Sequence, residues 1–350
     1  MRNIVRSFFI VSMTLLFAGC LGIGTTPTSS QDPGSIIKSL DRGTNFESKG
    51  LVAVAGGKAL SLDNADIVDL VMDPFDSQTL YAGTLANGLY ISTDGAESWN
   101  PTKILQGMVS SLQIDPKQRC TFYSILQRSK VVRTTDCGRT FDIVFTEPRG
   151  DVVLTSLALD TYNPTLLYLG TSEGDMLQTR DRGDTWSVLK RFQDGIDKIV
   201  LGLQDTRTMY VATHAQAVWV SLDRGIFWNS WGQALQGFSG SSDFVDLLEN
   251  PQNPQHLVLV SRFGLLQTLD KGGRFEALPI LTRPSEVPIL AFALNPQTPL
   301  EMYYTDPGTL YRSSDGGSTW STKKLSFAKV MRTLLVDPRN PNVVYAGLTQ

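Results

Sequence analysis

The chain has 350 residues, of which 41% are hydrophobic and 19% are charged, and its formal net charge is −3. This composition supports a sizeable buried core and excludes an intrinsically disordered chain. The mildly acidic balance also argues against a protein that binds nucleic acid through its overall charge, so we expect no nucleic-acid partner.

The first twenty residues have the layout of an export signal. Two arginines precede an apolar run that ends at Ala18, and Gly19 and Cys20 follow it. The run is too short to cross a bilayer, which takes about 20 apolar residues. The stretch 16–20, LFAGC, resembles a bacterial lipoprotein signal, in which the cysteine becomes the lipidated first residue of the mature protein. The alternative is an ordinary secretory signal that is cut near Ala18.

The segment after the signal is predicted to be a flexible tether. Residues 20–33 are rich in Gly, Thr, Ser and Pro, which favours a flexible linker between a lipidated Cys20 and a folded domain at 34–350. Removal of residues 1–19 takes away two arginines and no acidic residue, so the net charge changes from −3 to −5. We therefore predict an extracytoplasmic protein that is anchored by lipid to the cell membrane or the outer membrane.

An eight-residue box recurs along the rest of the chain: a small hydroxyl residue, any residue, Asp, any residue, Gly, any two residues and an aromatic residue. Only one copy lacks the glycine and has Ala96 in its place. In the last six copies the aspartates follow one another at 42 to 47 residues, which is the spacing of four-stranded propeller blades. The seven copies are SLDRGTNF (39–46), STDGAESW (92–99), TTDCGRTF (134–141), TRDRGDTW (179–186), SLDRGIFW (221–228), TLDKGGRF (268–275) and SSDGGSTW (313–320).

The same strand pattern precedes each box. In one unit, 71–74 (VMDP) ends a first strand, 80–83 (LYAG) forms a second and 88–91 (GLYI) a third, and the box then leads into a fourth. Near the C-terminus, 335–347 supplies two further strands without a box of their own. Their partners are expected just before and after the first box. The sequence thus predicts an all-β, seven-bladed propeller of four-stranded blades, closed by pairing of N- and C-terminal strands.

These repeats resemble BNR or Asp-box propellers. That superfamily includes sialidases, xyloglucanase-type glycoside hydrolases, sortilin-type receptors and a photosystem II assembly factor. The resemblance covers about residues 34–350 and implies that each box lies between strands three and four, on the ring face away from the usual ligand pocket. One fold of this kind supports many activities, so the resemblance indicates the fold more firmly than the function.

The box aspartates are predicted to be structural. An Asp placed just before Gly can accept hydrogen bonds from nearby backbone amides, and Gly permits a positive φ. Calcium binding at individual turns is the alternative, although no multi-carboxylate calcium loop is present. We predict no metal and no cofactor. The predicted structural residues are Asp41, Asp94, Asp136, Asp181, Asp223, Asp270 and Asp315.

Two further cysteines are candidates for a disulfide. Cys120 begins the second strand of its blade and Cys137 lies in the following box. Folding the hairpin between them places position 120 opposite position 136 or 137, close enough for a bond. An exported protein meets an environment where disulfides persist. We predict a Cys120–Cys137 disulfide, with two free buried thiols as the alternative.

The evidence for an enzyme is weak. Resemblance to sialidases implies an arginine cluster, a Tyr–Glu pair and an Arg-Ile-Pro motif, and the chain contains no Arg-Ile-Pro. Xyloglucanase-type enzymes place two catalytic acids between two propellers, whereas this sequence encodes one. Its two histidines, His214 and His256, lack a metal-ligand spacing. No catalytic residue is predicted, and a protein without enzymatic activity is favoured over a glycoside hydrolase.

A binding site is expected on the face opposite the boxes. Arginines on its loops would suit an acidic protein segment or an anionic glycan; the alternative is that they are ordinary solvated charges. We predict a monomeric ring that acts as a protein-binding or assembly scaffold. A glycan-binding protein or hydrolase, and a purely structural envelope component, are the alternatives. The candidate rim consists of Arg128, Arg149, Arg191, His214 and Arg262.

Overall fold

The computed structural model describes residues 34–52, 60–104, 106–214, 218–283 and 285–350. Cys20, the predicted lipidation site, and the predicted signal and tether lie outside the described residues. Within them, seven four-stranded antiparallel sheets form a ring, and no helix occurs. The predicted seven-bladed β-propeller is confirmed.

The blades are numbered in chain order, and the strands of each blade run from the innermost outward. Blade 1 contains β29 (Val330–Val336), β30 (Val344–Thr349), β1 (Ile36–Ser39) and β2 (Glu47–Ser48). Blade 2 contains β5 (Ile67–Met72), β6 (Leu80–Thr84), β7 (Leu89–Ser92) and β8 (Asn100–Pro101). Blade 3 contains β9 (Val109–Ile114), β10 (Phe122–Leu126), β11 (Lys130–Thr134) and β12 (Asp142–Thr146). Blade 4 contains β13 (Leu154–Leu159), β14 (Leu167–Thr171), β15 (Asp175–Thr179) and β16 (Ser187–Arg191).

The remaining blades follow the same order. Blade 5 contains β17 (Ile196–Leu201), β18 (Met209–Thr213), β19 (Val218–Ser221) and β20 (Asn229–Ser230). Blade 6 contains β21 (Phe244–Asn250), β22 (Asn253–Ser261), β23 (Gly264–Thr268) and β24 (Glu276–Ala277). Blade 7 contains β25 (Ala291–Leu294), β26 (Met302–Thr305), β27 (Thr309–Ser313) and β28 (Ser321–Lys324).

The core lies between the blades. Seven hydrophobic clusters each combine residues of two consecutive blades, including blades 7 and 1. The second strands are largely buried because both of their faces are covered by neighbouring blades; every residue of β14, for example, is buried. The ring closes where β1 pairs with β30, with Ile37 opposite Ala346, so N- and C-terminal strands share one blade as predicted.

Each blade places its box on one face of the ring, which we call the lower face. The amide of the fourth box residue donates to a carbonyl at the corner before the second strand: Arg182 to Thr165 at 3.1 Å, and Arg224 to Arg207 at 2.8 Å. The opposite face, called the upper face, carries the turns between second and third strands and the connections between blades. Each innermost strand therefore begins at the upper face and ends at the lower one.

A hairpin between blades 1 and 2 was not anticipated. Strand β3 (Leu51–Val52) pairs with β4 (Leu60–Ser61). Its first strand contacts the box of blade 2, where the amide of Trp99 donates to the Leu51 carbonyl at 2.9 Å. The hairpin explains why the first two boxes lie farther apart than the others.

Candidate functional site

The box aspartates accept hydrogen bonds from their own turns. In blade 7, Asp315 Oδ1 accepts the Ser313 hydroxyl at 2.8 Å and the Thr319 amide at 2.9 Å, and Oδ2 accepts the Thr319 hydroxyl at 2.6 Å. The fourth box residue has a positive φ, as does the fifth, which explains the glycine: Gly316 has φ 73° and Gly317 has φ 87°.

These hydrogen bonds keep the box carboxylates ionised. The threonine hydroxyl of the seventh box position contributes most to lowering the pKa of Asp136, Asp181 and Asp315 to about 2. Hydrogen bonds within their turns also lower the pKa values of the other four box aspartates, in Asp94 against the effect of burial. A carboxylate with so low a pKa is a poor general acid at neutral pH.

Ser313 is expected to hold its box through a buried hydroxyl. Its Oγ accepts the Gly317 amide at 2.8 Å, and the side chain is 1% exposed. Ser313→Ala leaves that amide without its acceptor and should lower the free energy of unfolding by about 1–3 kcal/mol in urea titrations. Ser313→Thr is the matched control, since Thr occupies this position in three boxes, and should stay within about 0.5 kcal/mol of wild type. Equal stability of both variants would contradict this role.

The box tryptophans connect neighbouring blades. The indole N–H of Trp186 in blade 4 donates to the Val144 carbonyl of blade 3 at 3.2 Å. Trp320 of blade 7 donates to the Pro279 carbonyl, which follows the outer strand of blade 6, at 2.7 Å. The boxes therefore contribute to contacts between blades as well as to their own turns.

A disulfide joins Cys120 and Cys137. The two residues occupy the corner and box positions that are hydrogen-bonded in the other blades, and the Cys137 amide donates to the Cys120 carbonyl at 3.1 Å. The predicted disulfide is confirmed, and the alternative of two free thiols is excluded. The bond adds a covalent link where the other blades have none.

Two of the five predicted rim residues meet on the upper face. Arg149 Nε donates to Glu147 Oε1 at 2.7 Å, and Arg149 Nη1 donates to Asp175 Oδ2 at 2.9 Å. Arg191 Nε reaches the other oxygen of Asp175 at 3.0 Å. The charges of two arginines thus neutralise those of two largely buried carboxylates between blades 3 and 4.

The other three rim residues are separate. His214 Nδ1 lies 3.3 Å from Asp197 Oδ1, and Arg262 Nη1 lies 3.3 Å from Asp243 Oδ2. Arg128 is exposed and has no carboxylate within 4 Å among the described residues. The five residues do not form one basic cluster, and their role in binding stays a prediction.

The strongest candidate site is a cavity that sequence reasoning missed. It has a volume of about 340 Å³ and is lined by the innermost strands of blades 1, 2, 5, 6 and 7. Strands so far apart around the ring can only meet at the central channel. Most of the lining residues lie in the first halves of these strands, which places the cavity on the upper side of the channel. We call it the channel mouth; its lining includes Val68, Asp69, Lys198, Val245, Asp246, Leu290 and Arg332.

β-Bulges shape the channel mouth. The register of the innermost strand shifts on either side of Val68 in blade 2, Val245 in blade 6 and Arg332 in blade 1. A bulge adds one unpaired residue and changes the direction of its side chain. Bulges have no dependable sequence signal, which is why these residues were not singled out.

Charged groups at the channel mouth are partly compensated. Lys198 Nζ forms an ion pair with Asp246 Oδ1. Asp69 Oδ2 accepts the Leu112 amide of blade 3 at 2.6 Å. Burial among the blades raises the pKa of Asp69 to about 6, while the Leu112 hydrogen bond and the Lys198 charge act in the opposite direction. Asp69 therefore holds a proton at a higher pH than an ordinary aspartate does.

The raised pKa of Asp69 predicts a pH-dependent stability. In the unfolded chain its pKa is about 3.9, so the folded protein retains the proton to higher pH and loses stability as pH rises from about 4 to about 6. Asp69→Asn removes this cost while its amide oxygen can still accept the Leu112 N–H. We expect a gain of about 3 kcal/mol in the free energy of unfolding at about pH 8 and almost none at about pH 4.

Urea titrations at both pH values test this, with Asp246→Asn as the control. That variant removes the partner of Lys198 and should not stabilise the protein at either pH. A gain for Asp69→Asn that is equal at the two pH values would contradict the raised pKa.

Neither a group of metal-ligating side chains nor a membrane-spanning helix is found in the part of the chain that the structure describes. No group of three or more His, Cys, Asp or Glu side chains there could hold a metal ion. In the same part of the chain, no helix is long and apolar enough to cross a bilayer.

Comparison with known proteins identifies likenesses of fold. No protein-family model matches the chain, and no curated protein matches it. Among solved structures, a GH74 xyloglucanase from Xanthomonas campestris is 19% identical with a TM-score of 0.66. The match covers 85% of this chain and 52% of the xyloglucanase, so the chain spans about half the length of that enzyme.

Two other structures match comparable parts of the chain. YCF48 bound to a D1 peptide is 17% identical with a TM-score of 0.64, over 86% of this chain and 98% of that one. An extracellular domain of the BT4673 two-component system from B. thetaiotaomicron is 12% identical with a TM-score of 0.61, over 85% of this chain and 38% of that one. These likenesses are consistent with a BNR-type seven-bladed propeller and, at such identities, show the fold alone.

Proposed function

We propose that this chain is an exported, lipid-anchored and monomeric propeller that binds a protein partner on its upper face and acts as an assembly scaffold. The observation that carries the proposal is the match to YCF48, which extends over 98% of that chain, in a structure that contains a bound peptide. The xyloglucanase match, by contrast, covers 52% of the enzyme. The likeness to an extracellular propeller domain fits an extracytoplasmic location.

The distribution of polar groups supports the upper face. Box carboxylates on the lower face are engaged in their own turns. The upper face offers the channel mouth together with the exposed side chain of Arg128. Arginine side chains of this kind suit the carboxylates of a partner protein.

Affinity purification from native membranes, followed by mass spectrometry, tests the proposal. Wild type should retain a stable partner, and the upper-face variant Arg128→Ala/Arg262→Ala should retain less of it. The matched control Arg139→Ala/Arg274→Ala removes two exposed arginines from lower-face boxes and should behave as wild type. No stable partner with wild type, or equal loss from both double variants, would contradict binding at the upper face.

Lipidation of Cys20 is a separate part of the proposal. The cysteine follows a small residue and precedes the predicted tether, as in lipoprotein signals. Metabolic labelling with a fatty-acid analogue should tag the wild-type protein, and the tagged protein should be found in the membrane fraction. Cys20→Ala should lose the label; a variant that remains labelled would exclude this anchor.

A glycoside hydrolase is the second candidate, favoured by the likeness to a xyloglucanase and by the raised pKa of Asp69. A carboxyl group with a pKa near 6 can act as a general acid. Activity on a polysaccharide panel that includes xyloglucan, abolished by Asp69→Asn, would favour this candidate. A stable partner without turnover would favour the scaffold.

A further inference from the structure

We propose that the channel mouth binds a peptide carboxylate flanked by an apolar side chain, and that Arg332 is the cation that holds it. The inference deepens the proposed function, because it rests on a protein partner at the upper face. It specifies the chemistry of the segment that enters the ring.

Arg332 is placed at the cavity by a β-bulge. The register of β29 against β30 shifts between Met331 and Thr333, so Arg332 has no residue opposite it. The side chain is exposed and lines the cavity. No carboxylate lies within 4 Å of its guanidinium in the part of the chain that the structure describes. The other arginines of the upper face that adjoin buried acids, such as Arg149, are already paired.

The acidic groups at the cavity form their contacts with residues other than Arg332. Asp246 is paired with Lys198, and its Oδ1 also accepts the Leu247 amide. Asp69 turns towards blade 3 and accepts the Leu112 amide, and the cation that acts on it is Lys198. Arg332 therefore remains available for a carboxylate brought by a ligand.

Apolar side chains share the cavity with Arg332. Val68, Val245 and Leu290 line the same cavity, and Val245 is 38% exposed. Blade 7 adds Ala291 to the lining. Contact with these residues would favour an apolar group next to the ligand carboxylate.

The size of the cavity limits what can enter. Its volume of about 340 Å³ is at the lower end for sites that hold small ligands. It can accommodate a chain end or a single side chain with its neighbour. The two sources share one chemistry: a carboxylate that forms paired hydrogen bonds with a guanidinium at the mouth of a narrow channel.

Three N-acetylated peptides distinguish the two sources of the carboxylate, a chain end and a side chain, by isothermal titration calorimetry. N-acetyl-Gly-Leu-Leu with a free carboxyl terminus represents a chain end, N-acetyl-Gly-Glu-Leu amide represents a side chain, and N-acetyl-Gly-Leu-Leu amide lacks a carboxylate. At least one carboxylate peptide should bind wild type at least tenfold more tightly than the amide without one, and which one it is identifies the source.

Variants then test the residue. Arg332→Gln should lower the affinity of that peptide at least tenfold, and Arg332→Lys should fall between, because lysine keeps the charge and loses the planar pair of donors. Arg283→Gln is the control. The Arg283 side chain is 83% exposed, pairs with Glu286 and lies on the connection between blades 6 and 7. The affinity for the peptide should therefore not change in this variant. Thermal melting confirms that the variants are folded.

The inference is overturned if the uncharged peptide binds as tightly as the carboxylates, if none of them binds, or if Arg332→Gln binds like wild type. Purification from native membranes separates this outcome from failure of the scaffold proposal. A partner retained equally by wild type and Arg332→Gln would exclude the site and keep the scaffold. Absence of any partner would remove the scaffold, while the titrations would still decide whether the channel mouth binds carboxylates.

Discussion

Replacing Trp99 by alanine is expected to lower the free energy of unfolding by about 3–5 kcal/mol. Trp99 is completely buried between blades 1 and 2 and packs in one cluster with Ile36, Leu80 and Tyr345. Its indole N–H donates to the Lys49 carbonyl at 2.7 Å. Removing the ring leaves a cavity beside the blade that contains both N- and C-terminal strands. The loss of stability should appear as a lower urea concentration at the midpoint of unfolding.

Two further substitutions separate the contributions to this effect. Trp99→Phe keeps most of the buried ring and removes the N–H, so about 1–2 kcal/mol should be lost. Trp320→Ala changes a partly buried tryptophan at the same box position and should cost less than Trp99→Ala. If Trp99→Ala destabilised the protein by less than about 1 kcal/mol, the packing between blades 1 and 2 would contribute little to the stability of the ring.

The second large effect is expected from the disulfide. Cys120 and Cys137 are 17 residues apart in sequence, and a crosslink over a loop of about that length stabilises a fold by about 3 kcal/mol by restricting the unfolded chain. Cys120→Ala/Cys137→Ala should therefore lower the free energy of unfolding by that amount. Urea titration with and without a reductant measures it.

The reductant provides the control for that experiment. Wild type should become as unstable as the double variant when reduced, whereas the double variant should not respond. Retention of full stability by reduced wild type would show that the bond contributes little beyond the Cys137–Cys120 backbone hydrogen bond.

The fold was predictable from the sequence because each box specifies a turn through interactions among residues that are close in sequence. A carboxylate such as Asp315 followed by two residues of positive φ specifies a turn between two strands, and the repeat of that turn counts the blades. The disulfide was predictable for the same reason, since one cysteine lies in a box and the other at the corner that contacts it. The hairpin of β3 and β4 was not, because two-residue strands carry almost no pattern.

The channel mouth was beyond sequence reasoning for a different reason. Val68 and Arg332 belong to innermost strands whose alternation predicts which residues face a neighbouring blade, and a bulge alters that direction locally. Ion pairs also escape a sequence pattern. Arg149 and Arg191 both contact Asp175, which lies on a strand between them in sequence, and no sequence pattern indicated this pairing. Their role in binding a partner stays a prediction.

Crosslinking tests the central claim, that the upper face is the binding face, most directly. A photoreactive residue is placed at Val245, at the channel mouth, and in parallel at Phe227, in a lower-face box. Phe227 is 74% exposed and Val245 is 38% exposed, so exposure alone would favour crosslinks from the lower face. Binding at the upper face predicts a discrete adduct in native membranes from Val245 and none from Phe227. A partner captured from Phe227 and not from Val245 would contradict it.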